Sequence, residues 1–112
     1  MNLSLFPALA LAALLASCAH QGERPRVAAG HRLAQRHCGE CHAIDGTGKS
    51  ALADAPPFRD LPGRFPLDQF TRAYADGMFE HHPRMPRMEL GPDELTELQA
   101  YLSSLLPRTR SQ

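Results

Sequence analysis

The sequence predicts a small all-α domain with long irregular loops, and three observations carry that prediction. Apolar residues recur at helical spacing near Val27 to Cys38 and again from Leu95 to Leu106. No stretch alternates apolar and polar residues as a half-buried strand does, and no internal repeat is present. Between the two periodic ends, Gly and Pro interrupt the chain at short intervals. A chain of 112 residues has room for one domain and not for two. Apolar residues make up 43%, but many of them sit in the first 17 positions, and there is no Trp. A core built from so few bulky side chains is marginal at this size, so something else is expected to fill it: a metal, disulfides or a large apolar cofactor. Twelve basic residues balance twelve acidic ones, and no strong field marks the chain as a nucleic-acid binder. Arg24, Arg26, Arg32 and Arg36 make the region before Cys38 locally basic, which reads as a solvated helix face.

Taken in order, residues 1–17 read as an export signal. The uncharged run Leu3 to Ala16 is short for a membrane span and suits the apolar centre of a signal peptide, although no Lys or Arg precedes it. Its end, Leu15-Ala16-Ser17-Cys18, resembles the bacterial lipoprotein box, in which the Cys becomes a lipidated N-terminus. Cleavage after Ala19 by an ordinary signal peptidase and an uncleaved anchor are the alternatives; all three place the mature chain outside the cytoplasm. Residues 18–26 then form a polar tether, 27–106 the domain and 107–112 a C-terminal tail.

Within the domain the first helix is expected over Val27 to His37, with Val27, Gly30, Ala34 and Cys38 on one stripe beside Leu33 and with Arg32 and Arg36 in water. Ala43 to Pro66 carries enough Gly and Pro to be mostly loop. Leu67 to Asp76 is a second helix, with Leu67, Phe70, Ala73 and Tyr74 on one face and Gly77 closing it. Pro83 and Pro86 make Met78 to Leu90 extended or looped. Gly91-Pro92-Asp93-Glu94 starts the last helix with a permissive cap, a Pro at the first helical position and acids in the first turn. Its apolar face runs through Leu95, Leu98, Tyr101, Leu102, Leu105 and Leu106 to Pro107.

The chemistry concentrates in Cys38-Gly39-Glu40-Cys41-His42. A redox dithiol of this spacing sits between a strand and a helix, and no strand precedes Cys38. A zinc site could recruit Cys38, Cys41, His81 and His82, but His81 and His82 are neighbours, which is not finger spacing, and His42 would be left without a role. Covalent haem attachment accounts for every position. Two thiols separated by two residues add across the two vinyl groups on one edge of the porphyrin, and the next residue, His42, is carried beneath the iron. With Cys18 assigned to lipid, all three cysteines are used. The sixth ligand then comes from Met78, His81, His82, Met85 or Met88.

The segment Met85 to Leu105, "MPRMELGPDELTELQAYLSSL", resembles the C-terminal part of bacterial class I (mono-haem) cytochromes c, where a Met-Pro pair supplies the axial sulfur ahead of a helix with an Ala-Tyr-Leu run. Gly30 to His42 resembles that family's N-terminal helix and haem motif, and "APPFRDL", Ala55 to Leu61, its proline segment. The resemblance implies a class I cytochrome c fold whose terminal helices cross at Gly30, with His42 and Met85 on the iron and the Pro56 carbonyl holding the Nδ1 proton of His42. It also implies one covalent haem c, no catalytic residues and redox proteins as partners. Ala34 stands where many relatives carry an aromatic residue, which implies a smaller helix contact, and Met88 is expected to pack near the ring. From residue type and order, Phe58, Leu61, Phe65, Met78 and Met88 are the expected apolar wall. The function expected is one-electron transfer in the periplasm or at a membrane surface, reached through a lipid anchor on Cys18. Two alternatives stand beside it: a haem-based sensor or gas-binding module in which His81 or His82 displaces Met85, and an electron-delivering subunit of a larger oxidoreductase.

Overall fold

The computed structural model describes the backbone of residues 6–107 and the side chains of residues 22–107. Three α-helices carry the fold: α1 (Phe6–His37), α2 (Phe70–Ala75) and α3 (Pro92–Ser104). Short 3-10 turns at Phe58–Gly63, Leu67–Gln69 and Met78–His81 interrupt the loops between α1 and α3. Among the described residues there is no strand.

The helix expected over Val27 to His37 extends back to Phe6 and runs through the segment read as a tether, with Pro25 inside it. The Ala- and Leu-rich run that precedes Cys18 has the highest helix propensity available, which outweighs the local cost of Pro25. Residues 22–26 are exposed, and the packed part of α1 begins at Val27. Cys18 falls in the stretch of α1 whose side chains lie outside the described residues. Among the described residues, no helix is long and apolar enough to cross a membrane.

The core forms where α1 crosses α3. Gly30, Leu33, Ala34 and Cys38 are buried on one side, and Leu95, Leu98, Tyr101 and Leu102 on the other. Gly30 is required there by contact: a Cβ added to it would meet Glu97 O at 2.0 Å and Tyr101 Cβ at 2.8 Å. Ala34 is fully buried, and the aromatic contact with α3 comes one turn earlier, where His31 meets Tyr101 with ring centroids 4.9 Å apart. Each fully buried Leu contributes on the order of 2 kcal/mol by its removal from water. α3 starts as its sequence requires, with Gly91 N–H donating to Glu94 Oε2 at 2.9 Å and Pro92 in the first turn. Its apolar face is shorter than expected. The helix ends at Ser104, and Leu106 is left 45% exposed.

α2 is preceded by the turn Leu67–Gln69 and closed by Gly77, whose φ of 85° lies in the left-handed region that favours glycine. Phe70 buries its ring in the main core, against which Phe65, Leu67 and Tyr74 also pack.

Candidate functional site

The Cys38–His42 motif follows directly from α1 and keeps its curl. Cys38 N–H donates to Ala34 O at 2.9 Å, and His42 N–H to Cys38 O at 2.9 Å. This tight turn places Cys38, Cys41 and His42 along one wall of a cleft. The loop that follows folds back on the motif: Leu52 N–H reaches Cys41 O at 3.1 Å, Ala43 N–H reaches Ser50 Oγ at 3.0 Å, and Phe58 N–H reaches Ala43 O at 2.9 Å. Residues 54–56 are thereby laid beside His42.

Nδ1 of His42 lies 2.7 Å from the Pro56 carbonyl oxygen. A carbonyl only accepts, so Nδ1 carries the proton and Nε2 keeps its lone pair. The His42 ring is also braced by Phe58, at a centroid distance of 5.3 Å. Cys38 is buried and Cys41 half-buried, both as free thiols. Burial pushes the Cys38 thiol up to about 11, so it is held neutral and is a poor thiolate donor.

Much of the remaining lining comes from residues 81–88. His81, His82, Pro83, Arg84, Met85, Pro86 and Met88 all line the cleft, which has a volume of about 360 Å³. That is within the range of small-molecule and cofactor sites. Met85 is half-buried, with its N–H bonded to His82 O at 2.8 Å. The fold therefore brings Cys38, Cys41, His42, Pro56 and Met85 to one cleft. The expected apolar wall is different in composition. Only Met88 of the five expected residues lines it, joined by Leu52, Ala55, Pro56, Pro83 and Pro86. Phe58, Leu61, Phe65 and Met78 pack in or against the helical core; Phe58, Leu61 and Met78 do so from within 3-10 turns. The four residues weighed for zinc share the cleft, but among the described residues no three His, Cys, Asp or Glu side chains are arranged to hold a metal ion.

The family model for cytochrome c matches residues 27–106. The chain belongs to the cytochrome c family. It is 35% identical over 81 residues to cytochrome c-552 of Bradyrhizobium diazoefficiens, an overlap covering 70% of this chain and 76% of that protein. No solved structure matches it. Cytochrome c membership, together with the α1–α3 crossing, makes this a class I fold, and members of the family are electron carriers rather than enzymes.

A cytochrome c of this class holds a single c-type haem, and the residues present fit one. Two thiols, an imidazole whose Nδ1 is engaged by a carbonyl, and a thioether line the same cleft. Arg59, three residues beyond Pro56, has a buried Nη1 with no hydrogen-bond partner. Arg59 is not among the residues that line the cleft.

Three features of the site were missed in the sequence. The Tyr74 hydroxyl bonds to Met88 O and Leu90 N, the Arg84 side chain pairs with Asp54, and the Tyr101 hydroxyl bonds to Ile44 O. For the tyrosines a signal existed, since a Tyr on an apolar helix face needs a partner for its hydroxyl. For Arg84 and Asp54 there was none.

Proposed function

We propose that this cytochrome c transfers single electrons through a haem bound by Cys38 and Cys41, with His42 and Met85 as axial ligands. The haem supplies the redox chemistry, and a thioether opposite an imidazole favours the ferrous state and raises the potential. The chain's own residues supply attachment, orientation and exclusion of water. Cys38 and Cys41 hold the ring edge. The Nδ1–H of His42 donates to Pro56 O at 2.7 Å, which fixes the tautomer and makes Nε2 the better donor. This hydrogen bond is the observation that carries the reading, because it orients an imidazole that directly follows the two thiols. Leu52, Ala55, Pro56 and Met88 limit water at the cleft. Met85, which lines the same cleft, would hold the iron through its soft thioether.

The test is the holoprotein's colour. It is expected to stay with the polypeptide through denaturation and acid-organic extraction, and the ferric form is expected to show the weak far-red band of sulfur-to-iron bonding. Met85→Ala removes that band and admits carbon monoxide to the ferrous form; Met88→Leu leaves it in place. Extractable haem defeats the attachment reading. A wild type that binds carbon monoxide readily favours the second reading, a sensor or gas-binding module, for which the observation is that His81 and His82 line the same cleft as Met85.

The mature protein is inferred to work outside the cytoplasm, held at a membrane by acylated Cys18 and exchanging electrons with redox proteins, including any oxidoreductase it serves as a subunit. The support is the Leu15-Ala16-Ser17-Cys18 box behind an apolar run. Wild type is expected in the membrane fraction and Cys18→Ser in the soluble one, since two or more acyl chains anchor firmly where one does not. A wild type that is wholly soluble and begins at His20 supports cleavage after Ala19.

A further inference from the structure

Met85 belongs to a strap, Arg84 to Leu90, that is fastened on both sides of it. On one side Arg84 Nη1 donates to Asp54 Oδ2 at 2.9 Å. Asp54 precedes by two residues the Pro56 carbonyl that accepts from His42, and both Asp54 and Arg84 line the cleft. The ion pair therefore ties the loop that supplies the Pro56 carbonyl to the segment that carries Met85. On the other side the Tyr74 hydroxyl donates to Met88 O and accepts from Leu90 N–H at 3.0 Å. Tyr74 is itself held on α2, edge-on to the buried ring of Phe79 at 5.1 Å.

The two fastenings differ in kind. The Asp54 and Arg84 side chains are 72% and 65% exposed, so their attraction is weak and screened by salt. Tyr74 is half-buried and binds two backbone groups with one uncharged hydroxyl, which salt does not screen. We propose that Asp54, Arg84 and Tyr74 are positioning residues for Met85, that they set how readily an external ligand displaces it, and that the Asp54–Arg84 pair is the fastening that yields first. The proposal rests on the reading of Met85 as the sixth ligand.

Imidazole added to the ferric holoprotein measures this, because its apparent affinity is scaled by the fraction of molecules in which Met85 has left the iron. Asp54→Asn is expected to raise that affinity about two- to fivefold at low salt. Raising wild type from low to high salt is expected to do the same, and to have no such effect in Asp54→Asn. Arg84→Lys keeps the charge and is expected to retain part of the wild-type behaviour, and the charge swap Asp54→Arg with Arg84→Asp to retain more of it than either single reversal. Tyr74→Phe keeps the ring against Phe79 and is expected to raise imidazole affinity about five- to tenfold, with the salt dependence of wild type. Thermal midpoints are taken for every variant, and Leu98→Ala, which loosens the core away from the strap, serves as the control for general destabilisation. If Tyr74→Phe does not mature, the salt titration and the Asp54 and Arg84 variants still decide the matter. Imidazole affinity that tracks the thermal midpoint across all variants, or that ignores both salt and Asp54→Asn, overturns the proposal. A wild type without the sulfur-to-iron band defeats the ligand assignment itself, and a wild type that has the band while the variants do not respond defeats only the positioning role.

Discussion

Where α1 crosses α3 the two backbones nearly touch, and the contact is made by volume. Gly30 supplies absence of a side chain, Ala34 a single methyl, and Leu95, Leu98 and Leu102 fill what remains. The loops that line the cleft are held in another way. From Ala43 to Leu90 a few buried side chains, Ile44, Phe58, Phe70 and Phe79 among them, anchor the chain. The segments around the cleft are then fixed by single hydrogen bonds: Phe58 N–H to Ala43 O, His42 Nδ1 to Pro56 O, and the Tyr74 hydroxyl to Met88 O and Leu90 N. A packed crossing has no nearby alternative arrangement, since sliding one helix drives atoms into each other. A loop tied by a few bonds of about 1 kcal/mol each can lift at one tie while the others hold. The scaffold is rigid where the polypeptide meets itself and adjustable where it meets its ligand.

The largest break in that contrast is expected at Gly30. Gly30→Val is expected to cost at least about 3 kcal/mol in denaturant unfolding of the holoprotein, because the added carbon overlaps a backbone oxygen that can move only with α3. Gly46→Ala, where a Cβ meets nothing within 4 Å, serves as the matched control and is expected within about 0.5 kcal/mol of wild type. Equal effects at both positions would mean that the crossing is loose.

Tyr101 joins the two regimes, since it packs in the crossing while its hydroxyl donates to Ile44 O at 2.8 Å, two residues after His42. Tyr101→Phe is expected to cost about 1–2 kcal/mol near neutral pH. Burial, with the nearby Asp45 carboxylate adding to it, pushes the Tyr101 phenol from 10.0 up to about 12. The folded protein thus keeps a proton that the unfolded chain releases. Its contribution to stability is whole below pH about 10 and is lost as the pH rises towards 12. Unfolding free energies measured across that interval are expected to fall less steeply for Tyr101→Phe than for wild type, and parallel slopes would show that Tyr101 is not the group responsible.

The smallest effect on stability is expected in the strap. Arg84→Gln removes one partner of an exposed ion pair, and about 0.5 kcal/mol is expected in denaturant unfolding of the holoprotein. A loss there as large as that of Gly30→Val would make the strap part of the rigid scaffold and end the distinction drawn above.

Much of this was legible in the amino-acid order. The stripe through Val27, Gly30, Ala34 and Cys38, the start of α3 at Pro92 and the closure of α2 at Gly77 follow from periodicity and local backbone preference, which act within a few residues. The Cys38–His42 spacing follows from the dimensions of a porphyrin edge. The composition of the cleft wall did not follow. Phe58 and Met78 are apolar residues in loops, and whether such a residue faces the core or the cleft depends on a short 3-10 turn, six residues at Phe58–Gly63 and four at Met78–His81, that carries no periodic signature. The early end of α3 is a boundary effect of one or two residues, whereas the extension of α1 back to Phe6 runs through a segment read as a tether.

By itself, then, the sequence determined the helical class and the set of groups that can meet a haem, because each depends on residue type and short-range spacing; the helix crossing at Gly30 was implied by the family resemblance. Tertiary structure alone decided that Arg84 reaches Asp54 across 30 positions, that Tyr74 holds the backbone at Met88 and Leu90, and that Tyr101 reaches Ile44 across 57. Such pairings arise only after loop closure has brought distant segments together, and a single donor and acceptor leave no pattern along the chain from which to read them.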